Sequence, residues 1–162
     1  MSFIKSKSEL IEYFLKGIKN QNQLKIGVEH EKFLFSGKEK RRVNYEELKI
    51  IFKKLEKFDW KPIYEKESII GLKRGEQQIT TEPGLQYELS GAPLKNIHLV
   101  CSESSSHFKE IKEVTKDTEI RTASIGFDPF NSLEQVPQNP KERYQIMTKE
   151  MPKGGELSLD MM

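Results

Sequence analysis

A chain of 162 residues, 35% of them hydrophobic and 32% charged, is long enough to bury one real core. Its 27 basic and 25 acidic residues leave a net charge of only +2, with lysines spread among glutamates, which argues against a nucleic-acid surface. No stretch approaches the roughly 18 apolar residues of a membrane span, and the single cysteine, Cys101, excludes an internal disulfide framework.

The first expected element is a helix over about 7–20, opened at Ser8 and carrying Leu10, Ile11, Phe14, Leu15 and Ile18 at helical spacing. This region has no continuous apolar run or small-residue cleavage site, and it holds Glu9 and Glu12, so the simplest address is the cytoplasm. A strand at about 24–35 and a charged loop at 36–43 follow; the run Lys38–Arg42 reads as solvated. The next helix, about 44–58, places Tyr45, Leu48, Ile51, Phe52 and Leu55 on one stripe. Strands are expected at about 60–65, 68–74 and 77–90, broken at Lys66-Glu67 and at Gly75-Glu76, a pair suited to a tight hairpin. A long helix at about 94–117 would turn Ile97, Val100, Cys101, Ser104, Phe108, Ile111 and Val114 inward, with Cys101 as a packed small hydrophobe. A strand at about 120–127, a loop rich in Pro, Asn and Gln at 128–140, a helix at about 141–149 and an extended end at about 155–162 complete the order. The expected class is α+β: an antiparallel sheet with helices packed on one face, in one domain spanning 1–162.

Candidate chemistry concentrates in Thr80–Leu94, TTEPGLQYELSGAPL. Read as a strand, it puts Glu82, Gly84, Gln86, Glu88 and Ser90 on one face and Thr81, Pro83, Leu85, Tyr87 and Leu89 on the other. Glu29 and Glu31 share a face of their own strand in the same way. Paired carboxylates suit Mg²⁺, which takes a few hard oxygens plus substrate phosphates. Such pairs are also commonly solvated, and the pattern alone leaves both readings open. His30, His98 and His107 lack metal-ligand spacing and read as structural. There is no Walker-type phosphate loop and no dinucleotide-binding glycine pattern.

The segment Glu82–Pro93 resembles the EPG-Q-ELSGAP motif of the plant-type glutamate–cysteine ligases that many proteobacteria share. Ile26–Phe33 resembles that family's GVEHEKF strand, His98–Glu103 with Ser106-His107 its following helix, and Ile125–Pro129 its GF-P strand. Pro140–Met147 and Met151–Lys153 resemble its PKGRY-IM and YMPK segments, and Leu159–Met162 its LDMM, all in family order. The resemblance implies part of a glutamine synthetase-like carboxylate–amine ligase domain. It implies ATP-dependent joining of the glutamate γ-carboxylate to the cysteine amine through a γ-glutamyl phosphate, the first step of glutathione synthesis.

Mg²⁺ would be held by Glu29, Glu31, Glu82 and Glu88, with ATP as co-substrate. Gln86, Arg143 and, less directly, Arg74 would bind substrate; none of these would act as a nucleophile. Arg143 otherwise reads as a helix-surface arginine, and Glu142 and Leu85 stand where the family usually has glycine. The implied partners are small molecules, with no nucleic acid and no membrane. The alternatives are a ligase for another amine, or an inactive piece that only binds metal or substrate. The apolar end at Leu157–Met162, which in the family leads into a further strand, is expected to mark an N-terminal portion of the catalytic domain.

Overall fold

The structure is a computed structural model that describes residues 3–160. Seven strands are β1 (Glu29–Ser36), β2 (Arg41–Arg42), β3 (Lys61–Glu65), β4 (Ser68–Arg74), β5 (Gln77–Thr81), β6 (Tyr87–Ser90) and β7 (Ile120–Ala123). Four helices accompany them: α1 (Lys7–Leu15), α2 (Tyr45–Leu55), α3 (Ile97–Thr115) and α4 (Glu142–Glu150). The pairing order is β2-β1-β6-β5-β4-β3, with β7 also on β1, and every pairing is antiparallel.

Local chemistry explains most of these elements. Asn44 caps α2 and Glu47 reaches back to the Asn44 N–H, a reciprocal capping box. The buried stripe of α2 is Leu48, Ile51, Phe52 and Leu55. The β4–β5 connection is two residues long, and Gly75 takes φ +59, a value glycine adopts without strain. Leu72 and Ile79 pair across β4–β5, Ile79 and Leu89 across β5–β6. With Leu34, Trp60, Tyr87, Ile111 and Val114 they form one core against α2 and α3. Trp60 donates its indole N–H to Glu110 at 2.8 Å, so the largest core side chain keeps its polar atom paired.

Several expectations change. The strand expected at 77–90 is two strands, because Glu82–Gln86 is a turn in which Leu85 N–H reaches the Glu82 carbonyl at 2.9 Å. Pro83 cannot donate to a ladder, and Leu85 takes φ +58, incompatible with extended backbone. Helix α1 is capped by Ser6 rather than Ser8, ends at Leu15, and buries none of its residues. On α3 the buried set is rotated: His107, Glu110 and Thr115 are buried beside Val100, Ile111 and Val114, whereas Ile97 and Cys101 are exposed. Arg42, expected in a solvated loop, lies in β2 and is 5% exposed. Residues 156–160 form turns rather than a strand, and Met161 and Met162 lie outside the described residues. Helices α2 and α3 share one face of the sheet; α4 sits across the other, where it meets the 82–86 turn.

Candidate active site

Strand alternation builds the acidic face. On β1, His30 and Lys32 point toward α3: His30 meets Ser104 at 2.6 Å and Lys32 meets His107 at 3.2 Å. Glu29 and Glu31 therefore project to the opposite face. Antiparallel pairing sets Glu31 directly against Glu88 and Glu29 against Ser90. Two carboxylates opposed in this way repel, and the Ser90 hydroxyl donates to Glu88 at 2.6 Å.

Glu82 arrives from the turn rather than from strand alternation, and accepts a hydrogen bond from the Tyr144 hydroxyl at 3.2 Å. The Glu31 carboxyl titrates above its ordinary value. Burial is the main cause, followed by repulsion from Glu82, Glu88 and Glu29, with Arg42 opposing. Glu31 thus feels the charges of the other three predicted carboxylates.

A cleft of about 470 Å³ opens on this face, lined by Glu31, Glu82, Gln86, Arg143, Tyr144 and Met147 among others. Glu29 and Glu88 share its face without lining it. Gln86 Oε1 is buried there with no hydrogen-bond partner among the described residues, an acceptor free for a donor from a ligand. Arg143 stacks on the Tyr144 ring at 4.5 Å, donates to the Tyr144 hydroxyl, and forms no salt bridge with a described residue. Its guanidinium titrates above the ordinary value, chiefly through that hydrogen bond.

Arg74 does not join the cleft. It is held on the α3 side by Glu110 at 2.7 Å, by the Phe58 carbonyl at 3.0 Å and by stacking on Trp60 at 4.2 Å. Its donors are engaged in the core boundary, so the substrate-binding role expected for it is withdrawn.

The sequence reading missed the clamp that shapes the cleft. The buried Asn139 amide donates to the Thr81 carbonyl at 2.8 Å, the Thr81 hydroxyl at 2.9 Å and the Glu82 carbonyl at 3.0 Å. Its own N–H reaches the Pro83 carbonyl at 2.8 Å. Lys141 adds a bond to the Thr81 carbonyl at 3.0 Å. These contacts capture the chain where β5 ends and aim Glu82 at α4. The only local signal was an Asn-Pro pair in a loop, because the partners lie about 58 residues away. Asn139→Ala is expected to destabilise the chain by about 2–3 kcal/mol in urea unfolding, since it strands several buried acceptors. A loss below about 0.5 kcal/mol would contradict the clamp.

Among the described residues, no three His, Cys, Asp or Glu side chains close on a single metal position. The donor set is nevertheless hard oxygen only, and the mutual repulsion at Glu31 is what a bound cation would relieve. An open array fits a cation that keeps several waters and needs only one or two protein carboxylates. No helix among the described residues is long and apolar enough to cross a membrane.

Residues 25–162 match glutamate–cysteine ligase family 2 (GCS2). The chain is 44% identical over 158 residues to a chloroplastic glutamate–cysteine ligase of Medicago truncatula, covering 97% of this chain and 31% of that protein. It is 44% identical to chloroplastic glutamate–cysteine ligase A of Oryza sativa subsp. japonica and 42% identical to the chloroplastic enzyme of Arabidopsis thaliana, covering 32% and 30% of them. The chain spans about a third of the length of the curated relatives it matches. With the family matched over all but the first 24 residues, the chain belongs to glutamate–cysteine ligase family 2.

Proposed function

We propose that these 162 residues are the N-terminal portion of the catalytic domain of a glutamate–cysteine ligase with a glutamine synthetase-like fold. The observation that carries this reading is the meeting of Glu31, Glu82, Gln86 and Arg143 around one cleft, from three separate parts of a chain of this family. The reaction joins the glutamate γ-carboxylate to the cysteine amine, with ATP converting the carboxylate to an acyl phosphate that the amine attacks.

In this reading Glu31 and Glu82, with Glu88 and Glu29 behind them, hold Mg²⁺, which offsets the repulsion between carboxylate and phosphates. Arg143 offers two parallel donors to a substrate carboxylate. The unpaired Gln86 oxygen accepts from a substrate ammonium. Tyr144 holds Glu82 and Arg143 together through one hydroxyl. The clamp at Asn139 keeps that geometry while substrates exchange. The proposed compartment is the cytoplasm, although the matched relatives are named as chloroplastic.

Phosphate release by an intact ligase carrying this chain, assayed with glutamate, ATP, Mg²⁺ and a panel of amines, tests the proposal. Turnover that requires Mg²⁺ and prefers cysteine supports it; equal turnover with unrelated amines would replace cysteine as the substrate, and turnover without ATP would sink it. The 162-residue chain by itself is expected to bind without turning over.

A further inference from the structure

Arg42 is unusual in its setting. Its side chain is only 2% exposed, yet its one ion pair, to Asp128, spans a long 3.5 Å. The guanidinium stacks over Phe33 at 4.5 Å. Phe33 has the same strand parity as Glu29 and Glu31, so Arg42 lies on the acidic face beside the cleft. Burial lowers its affinity for a proton, and Asp128 and Glu31 act against that effect.

Its remaining strong contact is to the turn: Nη2 donates to the Gly84 carbonyl. That carbonyl sits midway between Glu82 and Gln86, the two cleft residues the turn supplies.

The turn needs holding. Leu85 takes φ +58, where a side chain costs about 1–2 kcal/mol relative to right-handed backbone. Its internal bonds are few: Leu85 N–H to the Glu82 carbonyl at 2.9 Å, and Glu82 N–H to the Gln86 carbonyl at 3.0 Å. Burial of Leu85, at 3% exposed, pulls the turn toward the core from one side. Gly84 is pressed against Val136 on another, since an added Cβ would lie 2.7 Å from a Val136 methyl. Neither contact is directional, and the directional Asn139 bonds reach only the Glu82 and Pro83 carbonyls on the first half of the turn. A charged donor buried under the Gly84 carbonyl is directional, and removing it would leave that acceptor without its bond.

We propose that Arg42 is a positioning residue for the cleft: with Asp128 behind it, it latches the strained Gly84-Leu85 peptide and so fixes where Glu82 and Gln86 stand relative to Glu31. The proposal rests on the cation reading of the cleft given above. It makes Arg42 a partner of the site without contact to substrate.

Arg42→Met in the 162-residue chain tests the latch by amide hydrogen exchange and by calorimetric titration with Mg²⁺. Protection of the Leu85 and Glu82 amides is expected to fall at least about tenfold, while that of Ile79 and Leu89 in the β5–β6 ladder stays within about twofold. Mg²⁺ affinity is expected to drop about tenfold, the effect of removing a residue that orients a ligand. Should Arg42→Met not fold, Asp128→Asn slackens the same guanidinium and is expected to give the same selective pattern at about threefold. Exchange that rises uniformly across the turn and the ladder would overturn the proposal, as would turn amides that keep their protection. A selective loss of protection with Mg²⁺ affinity unchanged would also overturn it. If the unsubstituted chain takes up no Mg²⁺, the cation reading fails, and the exchange data alone decide the latch.

Discussion

Replacing Glu82 by glutamine is expected to lower ligation by an intact ligase carrying this chain by about 100-fold or more, while its melting temperature moves by less than about 2 °C. Glu82 lines the cleft and is aimed by Tyr144. Glutamine keeps an oxygen for the Tyr144 hydroxyl and nearly the same volume, so the fold has no reason to respond. What disappears is one negative charge among the four proposed to face the transferring phosphate and its cation. The neutral substitution also removes the second-largest cause of the raised Glu31 titration. The Glu31 carboxyl should therefore titrate lower in Glu82→Gln, which carboxylate-detected NMR can follow. Unimpaired turnover in this variant would remove Glu82 from the site.

The second large effect concerns stability and comes from the back of the same sheet. Lys32 is completely buried, with its ammonium 3.2 Å from the His30 carbonyl and 3.2 Å from His107 Nε2, between the rings of Tyr87 and Phe108. No salt bridge to a described residue compensates it, and burial brings its titration down from 10.5 to about 8. The same burial and the Lys32 charge hold His107 neutral, down at about 3.

The folded chain thus binds the Lys32 proton more weakly than the unfolded chain. Its stability carries the full penalty below pH 8 and recovers it as pH rises from about 8 toward 10.5. Lys32→Met, which keeps the length and removes the charge, is expected to stabilise the chain by about 2 kcal/mol at pH 7. The gain is smaller than the titration shift alone implies because two hydrogen bonds and the aromatic contacts to the ammonium are lost. The advantage should shrink through pH 8–10.5 and reverse above it, because the whole shift is worth about 3 kcal/mol, more than the gain at pH 7. Urea unfolding across that range checks both the size and the trend; destabilisation at pH 7 would mean that the buried ammonium is a net support of the fold.

The sequence carried the features that depend on near neighbours. The stripe of α2, the Gly75 hairpin and the pairing of Glu29 with Glu31 on one face follow from periods of 3.6 and 2.0, and the structure shows each of them. Alternation through Thr80–Ser90 misled at 82–86, although it holds on either side. Whether Pro83 and Leu85 continue a strand or turn is decided by Asn139, Lys141 and Arg42, which are remote in sequence. The turn still delivers Glu82 and Gln86 to the face that strand parity had assigned them, by a different route.

Arg74 reads from sequence as an arginine at the end of a strand, free for a substrate. Only tertiary structure reveals that Glu110 and Trp60 already hold it. The face of α3 was misread for a related reason: buried Glu110 is held by Trp60 and Arg74, and buried His107 meets Lys32 through Nε2, contacts that a hydrophobicity stripe cannot register.

Glu31 and Glu82, brought together from β1 and the turn after β5, are proposed as a cation-binding pair. Calorimetric titration of Mg²⁺ into the 162-residue chain, beside Glu31→Gln and Glu82→Gln, tests it most directly. Saturable binding near about 1 mM in the unsubstituted chain, weakened at least about tenfold in each variant, is the predicted result. Identical heats from all three proteins would contradict it.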